Sequence, residues 1–169
     1  MLEISTGLGA GGMMGGTSGL AGELGHITVA PDGPICGCGN RGCLETLATD
    51  SALVRLLTDY FPKTIDLVDV KWLLNEGSER AETALQVVSE YLAIAIAAAI
   101  NLWNPATLFI HGRLFDVREG LFESICNRAR ERSLAPSSAD CRIVRARRSK
   151  RHGAIAGAIH NLFDSHGPG

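Results

Sequence analysis

A chain of 169 residues that is 46% hydrophobic is long enough to enclose a core of its own, which excludes a disordered tail or a small disulfide-held scaffold. Its formal net charge of −2 supplies no overall field for nucleic acid or an anionic membrane. Five cysteines, with no signal-peptide pattern ahead of them, predict a reducing compartment, the cytoplasm, where an odd count is harmless and thiolates stay available to a metal.

Leu2 to Ser5 reads as a short strand that opens directly into Thr6-Gly7-Leu8-Gly9-Ala10-Gly11. Glycines so spaced either turn a hairpin between two strands or present successive backbone N–H groups to an anion, and spacing alone favours the hairpin. The run is not a Walker A loop, since Gly-Lys-Ser/Thr is missing. Met13 to Gly22 is glycine-rich and reads as a second strand with a loop, and Ile27 to Ala30 as a further strand. Pro31-Asp32-Gly33-Pro34 then forms a turn that brings Cys36 back toward His26.

Residues 26 to 45 carry the strongest chemical signal. His26, Cys36, Cys38 and Cys43 supply three thiolates and one imidazole, a closed tetrahedral donor set of the structural zinc type, with no open position for a catalytic water. Cys36 and Cys38 are too close in sequence to pair without strain, which argues against a disulfide. Glu23 and Glu45 flank the loop, and carboxylates of this kind accept hydrogen bonds from vicinal sugar hydroxyls.

Glu23-Leu24-Gly25-His26, followed by Cys36-Gly37-Cys38-Gly39-Asn40-Arg41-Gly42-Cys43-Leu44-Glu45, resembles the signature of the ROK family of repressors, open reading frames and sugar kinases. Thr6 to Gly11 is similar to that family as well, and the likeness continues more loosely through Asn104-Pro105 and Gly153 to Gly157. The resemblance implies an α/β lobe of the ribonuclease H-like, actin-type ATPase class, with a mixed sheet, flanking helices and a zinc-binding loop. It implies sugar contact by Glu23, His26 and Glu45, with His26 serving zinc through one ring nitrogen and a hydroxyl through the other. It also implies phosphate or nucleotide contact by Thr6, Gly7, Gly9, Gly11 and Gly112, with ATP and magnesium as cofactors in the event of a kinase.

Farther on, Cys43 to Ala48 starts a helix, and Asp50-Ser51 offers the N-cap of another that runs to about Tyr60 and buries Leu53, Leu56 and Leu57. Asp66 to Leu74 has helical spacing, with Gly77 as its stop. Glu79 to Trp103 is the longest helix, closed by Asn104-Pro105, and its apolar run from Tyr91 to Ile100 is half the length a membrane span needs and reads as a core segment. Thr107 to His111 is a buried strand followed by Gly112, and His111 stands where ROK chains usually carry glycine near the adenosine. Val117 to Ser133 is an amphipathic helix, Cys141 to Val144 a strand, and His152 to Phe163 a closing helix. Arg142 to Arg151 holds six basic residues in ten with no aromatic interleaved, so it reads as a solvated loop rather than a nucleic-acid surface.

No helix-turn-helix pattern is present, and neither is the Asp-x-Gly-Gly-Thr motif nor the Asn-Asp pair that supplies the general base of ROK kinases. Residues 1–169 are therefore expected to form the C-terminal lobe of a two-lobed protein without its N-terminal lobe. The expected role is the sugar-binding lobe of a transcriptional regulator; the alternative is the same lobe of a glucokinase-like, ATP-dependent sugar kinase. A sugar and further copies of the chain are the expected partners, with no direct contact to nucleic acid or membrane.

Overall fold

The computed structural model describes residues 23–58, 60, 61 and 64–146 in full, and 2–4 and 8–10 by their backbone. The element order is β1 (Leu2–Ile4), β2 (Leu8–Ala10), α1 (Asp50–Thr58), α2 (Leu67–Asn75), α3 (Glu79–Trp103), β3 (Thr107–Gly112), α4 (Leu121–Glu131), α5 (Ala135–Asp140) and β4 (Arg142–Arg145). The four strands form one mixed sheet in the order β2-β1-β3-β4. β1 and β2 are antiparallel, whereas β3 is parallel to both β1 and β4, as helical crossovers require. The α/β class and the mixed sheet agree with the sequence reading.

α3 is the axis of the core. Ser78 caps it through an oxygen that accepts from the Ala81 N–H, Glu79 and Glu82 favour its positive end, and Asn104 in a left-handed conformation closes it just before Pro105. Leu85, Val88, Leu92, Ile96 and Ile100 are buried along it, together with Ala81, Ala93, Ala95 and Ala99. The small residues let neighbouring helices approach closely. By length and composition α3 could cross a membrane, but 61% of its most apolar window is buried within the fold. α4 packs on it through Leu121, Phe122, Ile125 and Ala129, and Glu90 of α3 holds both Arg128 and Arg132 across the joint.

α2 begins with a reciprocal capping box between Asp66 and Asp69 and ends at Asn75, with Glu76 as its C-cap and left-handed Gly77 just beyond. There the Ser78 and Gly77 N–H groups donate to the Leu73 and Leu74 carbonyls. β3 turns Leu108 and Ile110 into the core and leaves Phe109 exposed.

Several boundaries differ from expectation. Ile27 to Ala30 is not a strand: only the Thr28–Cys43 bridge forms, because Val29 and Ala30 both donate to the Gly42 carbonyl. Cys43 to Ala48 supplies one 3-10 turn, Leu44–Thr46, instead of a helix start. Thr49, not Asp50, caps α1: its hydroxyl oxygen accepts from the Ala52 N–H, and Asp50 is buried. Leu56 is exposed, while Leu53 and Leu57 are buried as expected. Gly120, left-handed at the N-cap, delays α4 to Leu121, and the 3-10 turn Arg113–Asp116 and α5 were not anticipated. The stretches expected over Met13–Gly22 and His152–Phe163 lie outside the described residues.

Candidate functional site

The site is a folded loop hung between two 3-10 turns. Leu24–His26 presents His26 at its last position, and Cys43 immediately precedes Leu44–Thr46. Between them the chain doubles back. The outer bridge pairs Thr28 with Cys43 and the inner one pairs Ile35 with Arg41. At the tip the Cys36 N–H donates to the Asn40 carbonyl at 2.8 Å and the Gly39 N–H to the Cys36 carbonyl at 3.0 Å. Gly42, at φ +63°, lies so near the Ala30 carbonyl oxygen that a Cβ would stand 1.5 Å from it, so the fold fixes glycine there.

These turns gather His26, Cys36, Cys38 and Cys43 so that their donor atoms all lie within 4.8 Å of one another, and the four side chains form a group able to hold a metal ion. Tetrahedral zinc with bonds of about 2.3 Å to sulfur and 2.0–2.1 Å to nitrogen would set sulfurs about 3.8 Å apart and sulfur about 3.5 Å from nitrogen. Cys38 Sγ and Cys43 Sγ are 3.7 Å apart, and Cys36 Sγ is 3.6 Å from His26 Nδ1. The donor set therefore fits such an ion, with Nδ1 as the ligating nitrogen.

The two carboxylates bracket the imidazole. Glu45 Oε1 lies 3.8 Å from His26 Nδ1, and Glu23 Oε2 lies 3.8 Å from Nε2 on the other side of the ring. The Cys36 thiol also donates to Glu45 Oε1 at 3.0 Å. Glu23 is exposed, His26 half-exposed and Glu45 more sheltered. The three expected sugar-contacting residues thus lie beside one another, with the two carboxylates on opposite sides of the His26 ring. Thr49 Oγ1 donates to the Glu45 carbonyl at 2.8 Å and Thr46 Oγ1 to the Cys43 carbonyl at 2.7 Å, which ties residues 43–45 to the start of α1.

The thiols differ in acidity. The Cys38 backbone N–H favours the Cys36 thiolate, but the proton shared with Glu45, together with desolvation, pushes that thiol up to about 12. The Asn40 backbone N–H draws Cys38 down, and burial raises Cys43.

Other expected site residues lie elsewhere. Gly9 sits in β2 opposite Glu3, which makes Leu8–Ala10 an antiparallel neighbour of β1; Thr6, Gly7 and Gly11 lie outside the described residues. Gly112 ends β3 in extended backbone, paired with Ile4. His111 meets the Ala146 carbonyl at 3.1 Å and holds the chain leaving β4. In the basic tract, Arg145 pairs with Asp116 at 2.7 Å and its guanidinium lies over the Phe115 ring, whereas residues 147–151 lie outside the described residues.

One feature escaped the sequence reading. Asp50 is 4% exposed, neither of its carboxylate oxygens completes a hydrogen bond, and its nearest cation is Arg113 at 3.7 Å. Desolvation raises its pKa against the opposing pull of the Arg113 charge. Asp50 and Arg113 line an open cleft of about 420 Å³ between α1 and α2 that shares no residue with the metal group. A lone aspartate beside a helix start carries no signal that a turn more than sixty residues later will bury it.

An α/β lobe with a mixed sheet, carrying a three-cysteine, one-histidine group bracketed by two carboxylates, defines the class of protein. Residues 1–163 match the sequence profile of the ROK family, and the chain belongs to that family. It is 33% identical over 140 residues to a glucokinase of Thermotoga maritima, covering 72% of this chain and 44% of that protein. It is 34% identical over 139 residues to the DNA-binding transcriptional dual regulator NagC of Escherichia coli K12, covering 74% of this chain and 34% of the regulator. Among solved structures, a ROK family transcriptional regulator, a homologue of the E. coli MLC protein, superposes with a TM-score of 0.74 at 35% identity, over 88% of this chain and 41% of that one. A ROK family glucokinase of Streptomyces griseus, in complex with glucose and AMPPNP, superposes with a TM-score of 0.71 at 26% identity, over 86% of this chain and 54% of that one. The chain spans less than half the length of both curated relatives, one an enzyme and one a regulator.

Proposed function

We propose that this chain is the zinc-stabilised, sugar-binding C-terminal lobe of a cytoplasmic ROK transcriptional regulator. The observation that carries the reading is the convergence of Glu23, His26 and Glu45 around one imidazole whose inner nitrogen faces the cysteine sulfurs. Bound zinc would close the loop and hold His26 in one orientation. The chain's own groups then do the recognition. Nε2 of His26 is left to hydrogen-bond a hydroxyl, and the Glu23 and Glu45 carboxylates accept from neighbouring hydroxyls. Their fixed spacing orients a sugar ring, and Thr49 holds the Glu45 backbone in place.

The regulator is favoured over a kinase by the surface around Gly112. His111 occupies a place where ROK chains usually carry glycine and is tied to Ala146, and Arg113 reaches toward Asp50. Both side chains add bulk where a nucleotide would need close backbone approach. The kinase lobe is the second reading, supported by the Thermotoga glucokinase and by the Streptomyces glucokinase solved with glucose and AMPPNP. In either case the chain is one lobe of a larger protein that assembles as a homo-oligomer, with DNA contact and any phosphoryl-transfer base supplied elsewhere. Assays of the full-length gene product test the choice. A regulator releases its operator DNA on sugar addition and shows no ATP-dependent sugar phosphorylation, whereas steady turnover would overturn the regulator in favour of the kinase.

A further inference from the structure

The metal loop carries an asymmetry that its donor role does not require. Among the described residues Cys38 is the one exposed thiol, whereas Cys36, Cys43, Cys126 and Cys141 are buried. Its sulfur faces Cys43 Sγ at 3.7 Å, and the five-residue separation is long enough to close a ring, unlike the strained Cys36-x-Cys38 step. Cys36 is directed to Glu45 instead.

The backbone on either side is unequally free. A Cβ on Gly37 or Gly39 would meet nothing within 4 Å, whereas Gly42 is wedged against Ala30. Contraction from 3.7 Å to a bond of about 2.05 Å is therefore taken up on the Cys38 side, with Cys43 as the fixed partner.

We propose that Cys38 and Cys43 form a reversible disulfide with hydroperoxides, which makes the metal loop an oxidation-sensitive site. The Cys38 thiolate attacks the outer oxygen of the hydroperoxide; the O–O bond breaks, and the alcohol leaves once its oxygen takes up a proton. Cys38 is then a sulfenic acid. The Cys43 thiolate attacks that sulfur, the S–O bond breaks, the S–S bond forms, and hydroxide leaves as water on taking a second proton. Two thiolates, one hydroperoxide and two protons give one disulfide, one alcohol and one water; two electrons pass from sulfur to oxygen. A zinc ion held by the four residues would lose two of its donors and be released. Because Cys36, two residues before Cys38 on the side that moves, donates to Glu45 Oε1 at 3.0 Å, the same event unsettles Glu45. This last consequence rests on the sugar-binding reading, whereas the disulfide does not.

The test treats the zinc-loaded chain with one equivalent of hydrogen peroxide, blocks free thiols, and maps tryptic peptides. Arg41 separates Cys43 from the peptide that carries both Cys36 and Cys38, so trypsin yields two joined peptides, and fragment ions with the blocking group on Cys36 assign the bond to Cys38 and Cys43. The expected result is that cross-link, with one zinc released per disulfide into a metallochromic dye, both reversed by dithiothreitol and fresh zinc. A Cys141→Ser variant should behave as the parent. Sulfinic acid on Cys38 without a cross-link, a Cys36–Cys38 bond within one peptide, or retained zinc would each overturn the proposal. Sugar affinity unchanged after a confirmed cross-link would overturn the link to Glu45 while leaving the disulfide standing.

Discussion

Replacing Gly42 with alanine should cost far more than the same change at Gly39, three residues away. Both glycines have positive φ, at +63° and +93°, so each alanine pays a left-handed strain of about 1–2 kcal/mol. At Gly39 nothing lies within 4 Å of the added methyl, and that strain is the whole effect. At Gly42 the methyl would stand 1.5 Å from the Ala30 carbonyl oxygen and 2.3 Å from its carbon, so the backbone must move apart by more than 1 Å. That shift breaks the bonds from the Val29 and Ala30 N–H groups to the Gly42 carbonyl, 2.9 and 3.2 Å long, each contributing about 1 kcal/mol. The expected total is about 3–4 kcal/mol for Gly42→Ala against about 1–2 for Gly39→Ala. At about 2–4 °C per kcal/mol the larger change lowers Tm by about 6–16 °C. The same shift carries Cys43 Sγ away from its partners, and metal content should fall with it. Urea and thermal unfolding of both variants, with metal analysis, is the assay. Equal losses at the two positions would refute the reasoning.

Metal affinity should rise steeply with pH, because Cys36, pushed up to about 12, and Cys43 surrender protons on binding; calorimetry in buffers of different ionisation enthalpy counts them, and flat affinity across neutral pH would contradict the site. Cys38→Ser should lose the metal and unfold the loop, with the loss visible as fast amide exchange confined to residues near 26–45. Asp50→Asn should raise Tm at neutral pH. A carboxyl whose folded pKa lies above its unfolded value of 3.8 favours the folded state only while protonated, so its charged form is the destabilising one. The gain should be absent below about pH 3.8 and grow as pH rises through the folded value; equal Tm values at pH 7 would show that Arg113 fully compensates the burial. The isolated chain should not phosphorylate hexoses with ATP, since the expected general base stands outside its motifs; measurable turnover would show that the chemistry rests on other residues.

The clustering of His26, Cys36, Cys38 and Cys43 was readable because the four residues are compressed into positions 26–43 with glycines between them. α3 was readable to the residue, since Ser78 and Asn104-Pro105 are local signals and the helix obeys them. Ile27 to Ala30 misled because an apolar stretch predicts a partner strand, and here the pairing stops at Thr28 and Cys43, with the Val29 and Ala30 N–H groups both turned onto the Gly42 carbonyl. α4 began late because Gly120 outweighs the amphipathic pattern upstream of it. Leu56 shares the spacing of Leu53 and Leu57 but lies on the open side of α1, which only the packing of α3 decides. Asp50 was hidden for the same reason, since its burial depends on the turn after β3.

Calorimetric titration of the zinc-loaded chain with hexoses and N-acetylhexosamines, run beside a Glu23→Gln, Glu45→Gln double variant, tests the central claim most directly. One lobe supplies only one wall of a cleft, so the parent should bind a sugar weakly but saturably, and the variant should lose that heat while keeping its zinc and its Tm. Binding of equal strength in the variant would contradict the account and move the sugar site away from His26.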